Sequence, residues 1–211
     1  MRVMVLVAHL DDEVLGCGGY IPKLTKDSHE VHMVFLTEGV LHPPKRNDNR
    51  EASFAVAELL GVQRQHVYHL GLKNQRFDEY TIIDVNKKIE SLSIDPEMLI
   101  STSAIDVNGD HRFTFNCALV IARPLKKRIR FLTMELLSST EWGHEPFQPN
   151  YYVDITDTLD LKIRAMKLYQ DQLMPFPHPR SLEGIEYKAR TRGMEVGYQA
   201  AEAFHVVRWF E

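Results

Sequence analysis

Cysteine is nearly absent from this chain, with two in 211 residues, Cys17 and Cys117. They lie far apart, without the paired spacing of a metal knuckle or the density of a disulfide scaffold, so a reducing cytoplasm is the expected compartment. Long apolar runs are missing as well. Nothing approaches the roughly 18 consecutive apolar residues of a membrane-spanning helix. The N-terminal apolar run is short and ends in acids, unlike a signal peptide. Net charge is only −4, which leaves no basic footprint for nucleic acid or an anionic membrane. The one basic run, Lys126-Lys127-Arg128 with Arg130, reads as a solvated helix end. Internal repeats and low-complexity stretches are lacking too.

What is present suits a globular chain: 44% hydrophobic and 26% charged residues fit one α/β domain over residues 1–211 with a full core. Arg2 to Ala8 is nearly all apolar, the pattern of a strand buried on both faces. Further strands are expected at 31–37, 66–70, 97–102 and 130–136, with helices between them at 47–60, 79–92 and 112–123. A glycine-rich "GCGG" at 16–19 leads into a helical stretch ending near Lys26. Strand–helix alternation predicts a Rossmann-like, mostly parallel sheet with helices on both faces. Beyond Ser138 the expectation is a loop, an edge strand at 151–155, a helix at 157–173, a stop at "PFPHP", and a last helix over 182–204.

Ligands of open α/β sheets gather at the carboxyl ends of the strands. Three polar segments belong on that rim: "AHLDDE" (8–13) after the first strand, Thr37-Glu38-Gly39 after the second, and "DVNGDHR" (106–112) after the fourth. A dinucleotide fingerprint does not fit the first turn. Acids precede any glycine there, and "GCGG" is not G-x-G-x-x-G.

A divalent metal suits these residue types better. His9 and Asp12, three apart on a loop entering a helix, can face one point, and His111 completes a His-Asp-His set. Three protein ligands with one open position is the arrangement of a catalytic zinc site, where bound water loses its proton near neutral pH. Asp11 is then free to act as general base, and Asp110 to orient a ligand histidine.

"AHLDDE" with "GGYI", "TEG" and the later "DH" resembles the PIG-L/LmbE-like family of zinc-dependent de-N-acetylases, whose first motif is A-H-P-D-D-E. The similarity runs on through "RE…LLGV" (50–62), "NGDHR…ARP" (108–124), "VDIT" (153–156), "K…Y…Q" within 162–172 and "RG…G…AEAF" (192–204), nearly the whole chain. The resemblance implies a Rossmann-like fold and hydrolysis of an N-acetyl group from an N-acetylglucosamine-type sugar. By position, His9, Asp12 and His111 match the zinc ligands and Asp11 the general base, while Asp110 matches the acid before the last ligand. Arg50 falls where members place a substrate-binding arginine. A small-molecule N-acetylated sugar conjugate is the implied partner, and a homo-oligomer is compatible with it.

Two departures stand out. Leu10 replaces the usual proline, and Asn108 stands where many members carry the first histidine of H-x-D-H. An asparagine amide donates to an oxyanion but cannot carry a proton across. The final proton donor is then either Asp11 itself or His144 in "EWGHEPF", a loop whose Trp142 and Phe147 suit a sugar-binding lip. His42 in "GVLHPP", His66, His69 and His178 read as structural or solvated. Two alternatives stay open at this level: hydrolysis of another amide or an ester on the same metal, or a metal- or sugar-binding module that has lost catalysis at Asn108.

Overall fold

The computed structural model describes residues 1–37, 49–125 and 127–211. Glu38, Gly39, Lys126 and the first residues of the helix expected from 47 lie outside these.

The first apolar run forms β1 (Arg2–Val7). Val3, Val5 and Val7 enter the core on one side of it and Met4 and Leu6 on the other, all of them buried. A strand covered on both faces needs that near-continuous apolar sequence. Four parallel partners follow the expected runs: β2 (Glu30–Thr37), β3 (Val67–Leu72), β4 (Met98–Ser101) and β5 (Arg130–Met134). With β6 (Tyr151–Asp154) and β7 (Ala201–Arg208) they form one sheet in the order β3-β2-β1-β4-β5-β7-β6. The fold is a mostly parallel α/β sheet with helices on both faces.

One face carries α1 (Asp12–Cys17), α2 (Tyr20–Lys26), α3 (Asn49–Leu59), α6 (Leu159–Leu168) and α7 (Leu182–Met194). Val14, Leu24, Val56, Ala165 and Ile185 fill that core with Val5 and Phe35. The other face carries α4 (Ile82–Ser91) and α5 (Gly109–Ile121), packed through Val85, Ile89, Cys117 and Ala118. Both cysteines are free and buried. The glycines at 16–19 serve packing, since a β-carbon on Gly16 would collide with Met134 of β5 and one on Gly19 with Ile155.

Order in the sheet places the clusters. The chain runs from β1 outward through β2 to β3, then returns to the other side of β1 for β4 and β5. Strand order therefore reverses between β1 and β4, and the loops after those two strands diverge to leave a crevice. "AHLDDE" follows β1 and "DVNGDHR" follows β4.

One expected element is wrong. The helix read over 182–204 ends at Met194, and Ala201–Arg208 is the strand β7, antiparallel to both β5 and β6. Gly197 takes φ 80° in the turn between them. "AEAF" favours a helix by propensity, but pairing between two open strand edges overrides it. The helix expected at 157–173 is also shorter, closing at Leu168 with a 3-10 turn at Gln170–Gln172.

β7 also fixes the helix that carries the first cluster. Glu202 accepts from the backbone N–H groups of Gly19 and Tyr20, both at 2.8 Å, at the start of α2. Lys162 of α6 donates to Glu202 at 2.6 Å and to the Leu15 carbonyl of α1 at 2.8 Å. Both side chains are at most 5% exposed. A buried charge left without its partner is strongly destabilising. Lys162→Met should therefore lower unfolding free energy by about 3–5 kcal/mol, measured by urea denaturation. A loss below about 1 kcal/mol, the range of an exposed pair, would show that the pair does not hold α1 in place.

Candidate metal centre

The carboxyl ends of β1 and β4 bring three ligand-type side chains together. His9 Nδ1 and His111 Nε2 lie 3.0 Å apart. Asp12 Oδ1 is 3.3 Å from His111 Nε2, and Asp12 Oδ2 is 3.8 Å from His9 Nδ1. His9 lies in the turn after β1, Asp12 opens α1, and His111 sits in the first turn of α5. Helical geometry alone puts Asp12 back over the loop, where its Oδ2 accepts the His9 backbone N–H at 2.8 Å.

The far nitrogen of each histidine faces a carboxylate. His9 Nε2 meets Asp110 Oδ2 at 2.9 Å, and His111 Nδ1 meets Asp106 Oδ2 at 2.7 Å. Each acid can accept a hydrogen bond from the ring N–H it faces, and in that tautomer the two near nitrogens turn lone pairs toward each other and toward the Asp12 carboxylate. Such a set is repulsive without a positive charge at its centre. Ligands on bonds of roughly 2.0–2.1 Å in a tetrahedral shell lie about 3.4 Å apart, close to the three separations found. The residues present fit a divalent cation, and two imidazoles with one carboxylate suit zinc.

Electrostatics agree with the geometry. Burial works against a charge on Asp12, yet His111 and His9 overcome it and hold the carboxyl down at about 2. Burial likewise opposes the charged ring of His111, but Asp12 and Asp106 carry its pKa well up. Without metal, a proton takes the place of the cation.

Asp11 stands apart from this set. It is 3% exposed and takes φ 121°, a conformation that strains any side-chain-bearing residue. Glu13 accepts its backbone N–H at 3.1 Å, and the Tyr169 hydroxyl donates to Glu13 at 2.6 Å. Arg180 Nη1 reaches Asp11 Oδ2 at 3.2 Å. Burial first and the Asp12 charge second raise the Asp11 pKa to about 7, with Arg180 pulling the other way. A carboxyl poised there can both take and give a proton near neutrality.

Around these groups lies a cavity of about 190 Å³. Beyond the cluster, its described lining includes Thr37, Asn74, Gln75, Asn108, Gln172 and Arg180. Asn108 caps α5, its side-chain oxygen accepting the Asp110 N–H at 2.9 Å, which leaves the amide nitrogen as its donor. Asp110 reaches the cavity only through His9, and it is itself held by the backbone N–H groups of Gln75 (2.7 Å) and Phe77 (3.2 Å) after β3.

Two expected substrate contacts lie elsewhere. The His144 side chain is 87% exposed and 3.7 Å from Glu145, and it is not among the residues lining the cavity. Arg50, exposed in the first turn of α3, is also outside that lining. Phe147 is buried beside another cavity, and Trp142 is exposed with its ring edge-on to His178 at 5.1 Å. His42 of "GVLHPP" lies outside the described residues.

Residues 4–122 match the PIG-L family, described as GlcNAc-PI de-N-acetylase. That match spans more than half of the 211 residues and both clusters. The chain belongs to the PIG-L family.

Individual relatives are distant. A diacetylchitobiose deacetylase of Thermococcus kodakarensis is 24% identical over 195 residues, covering 81% of this chain and 70% of the relative. The structure of N,N'-diacetylchitobiose deacetylase from Pyrococcus horikoshii, complexed with its inhibitor MPG, superposes with a TM-score of 0.76 at 23% identity over 98% of this chain and 83% of that one. The 4-carboxy-2-hydroxymuconate hydratase of Pseudomonas putida KT2440 superposes with a TM-score of 0.78 at 21% identity over 100% and 98%. At such identities the superpositions show the fold. The names those two structures carry, a deacetylase and a hydratase, belong to different reactions.

Asp106, Glu13 with Tyr169, and Arg180 were not assigned roles from sequence. Asp106 and Glu13 stand inside the two motifs, so acids flanking ligand histidines were a usable signal. Arg180 was hidden in the "PFPHPR" segment, where no spacing connects it to Asp11. Removing an acid that orients a ligand histidine weakens metal affinity by roughly 10–100-fold. Asp106→Asn should do so, measured by competition with a chromophoric chelator. Unchanged affinity would mean that Asp106 does not set the His111 tautomer.

Proposed function

We propose that this chain is a zinc-dependent hydrolase that removes an N-acetyl group from an N-acetylglucosamine-type amino sugar. The observation that carries the reading is Asp11: a buried, strained carboxyl that lines the cavity beside three convergent ligand-type side chains without being one of them. A site that only binds a metal or sugar has no use for such a base, which disfavours a module without catalysis. PIG-L membership and the two deacetylase relatives select the amide among substrates that an activated water can attack.

His9, Asp12 and His111 would hold the ion, which when bound lowers the pKa of water to about 7 and polarises the acyl carbonyl. Asp11 takes one proton from the attacking water as the new C–O bond forms. The Asn108 amide nitrogen, in the cavity wall, is placed to donate to the oxygen that gains charge. Asp11 then delivers its proton to the nitrogen as the C–N bond breaks, leaving acetate and a free amine. Arg180, in the same cavity wall, holds the Asp11 carboxylate through its contact with Oδ2. His144, exposed and outside the cavity, supports no role as donor.

Zinc-loaded protein incubated with N-acetylglucosamine, diacetylchitobiose and N-acetylated nucleotide sugars should release free amine and acetate in equal amounts. No amine from any of them would overturn the substrate class. A hydratase, the second reading that the Pseudomonas scaffold raises, would instead consume a conjugated alkene acid without releasing amine.

Ligand and base roles separate by mutation. His111→Ala should lose most of the one zinc bound at this site, whereas Asp11→Asn should keep it and lose roughly 10²–10⁴ in kcat. Loss of zinc in Asp11→Asn would make Asp11 a ligand. His144→Ala should alter kcat less than about threefold. A drop of 10²-fold or more, the size of a general-acid contribution, with zinc and fold intact would make His144 the proton donor.

A further inference from the structure

At the opposite end of the sheet, β2 opens with Glu30 and His32. Residues two apart on a strand share a face, and Glu30 Oε1 lies 2.7 Å from His32 Nε2. His66 closes the 3-10 turn Arg64–His66 immediately before β3. Met33 of β2 pairs with Val67 of β3, so His66 arrives beside His32. Their rings stand 4.3 Å apart, centre to centre, at 33°. One ligand atom from each of the three residues lies within 4.8 Å of the others.

We propose that Glu30, His32 and His66 form a second metal site, for a divalent transition ion such as zinc, with water completing the shell. Two imidazoles and one carboxylate select such an ion over magnesium or calcium, which prefer all-oxygen shells. His32 is 4% exposed. Burial, the largest influence, lowers its pKa despite the Glu30 contact. Its other nitrogen lies 3.4 Å from the Tyr68 hydroxyl, which can donate or accept as the tautomer requires. Arg2, cross-strand from Glu30, turns its guanidinium to Asp95 at 2.9 Å, and its charge still reaches Glu30 and His32. Glu30 and His66 also line an open cavity of about 270 Å³ with His29 and Gln63, which gives an ion a path in.

An ion here would clip the start of β2 to the turn before β3, strand-length away from the catalytic rim, where Thr37 ends the same strand. Its chemistry is independent of the first centre. Chelator-stripped protein dialysed against micromolar Zn²⁺ and counted by metal analysis should hold two zinc ions per chain. His66→Ala and Glu30→Gln should each hold one and keep deacetylase activity, whereas His111→Ala should hold one and lose it. Zinc should also raise the Tm of His111→Ala, but not that of the double variant His66→Ala/His111→Ala. Saturation of the unmodified chain at one zinc overturns the proposal. So does retention of two by both His66→Ala and Glu30→Gln, with folding confirmed by circular dichroism. Should His111→Ala keep two while His66→Ala keeps one, the second site stands and the first assignment falls.

Discussion

Two carboxylates that act through the histidines, Asp106 and Asp110, determine what those histidines can do. In the tautomer where they accept from the far ring N–H groups, at 2.7 and 2.9 Å, both near nitrogens offer lone pairs into the same small volume. Asp12 adds a third donor at 3.3–3.8 Å. The arrangement is stable only around positive charge, and it is held from three directions. Asp106 and Asp110 come from the loop after β4 and the start of α5, and the Gln75 and Phe77 backbone after β3 fixes Asp110 in turn. An error in any of these would rotate a ring rather than delete a ligand, which is why outer partners of a metal matter almost as much as the ligands.

The frame behind this centre is built to keep α1 still. Its short length, six residues, gives it little stability of its own. It is held instead by Lys162 and Glu202, which join its last carbonyls and the first N–H groups of α2 to α6 and β7. Glu13 and Tyr169 hold the strained Asp11 backbone from behind. The motif "AHLDDE" therefore contains two kinds of acid. Asp12 is ionised by its histidine neighbours, while burial pushes Glu13 up to about 8 despite the Tyr169 hydrogen bond. Asp11, raised to about 7, lies between them in chemistry.

Much of the site was legible in the chain. Apolar runs marked five parallel strands, and the polar residues following the first and fourth identified the rim. Residue type alone then suggested a metal, because histidine and aspartate after strand ends have few other uses in combination. The helix expected over 182–204 failed for a reason that local pattern does not contain: Ala201–Arg208 pairs with Met134 and Tyr151, residues about 50 to 70 positions away in the chain. Arg180 and His144 show the same limit in the site. Arg180 follows the "PFPHP" stop, carried no expectation and touches Asp11; His144 looked chemically apt and lies in solvent.

By itself, then, the sequence determined the α/β class, the two clusters and their ligand types, since these follow from short-range periodicity and from side-chain chemistry. Only the tertiary structure decided which acid faces which histidine nitrogen and which distant residues complete the wall of the cavity. Those depend on crossovers that bring β1 and β4 side by side, and on the pairing of β7 into the gap between β5 and β6. Such long-range contacts are set by the burial of the whole sheet, and no window of neighbouring residues records them.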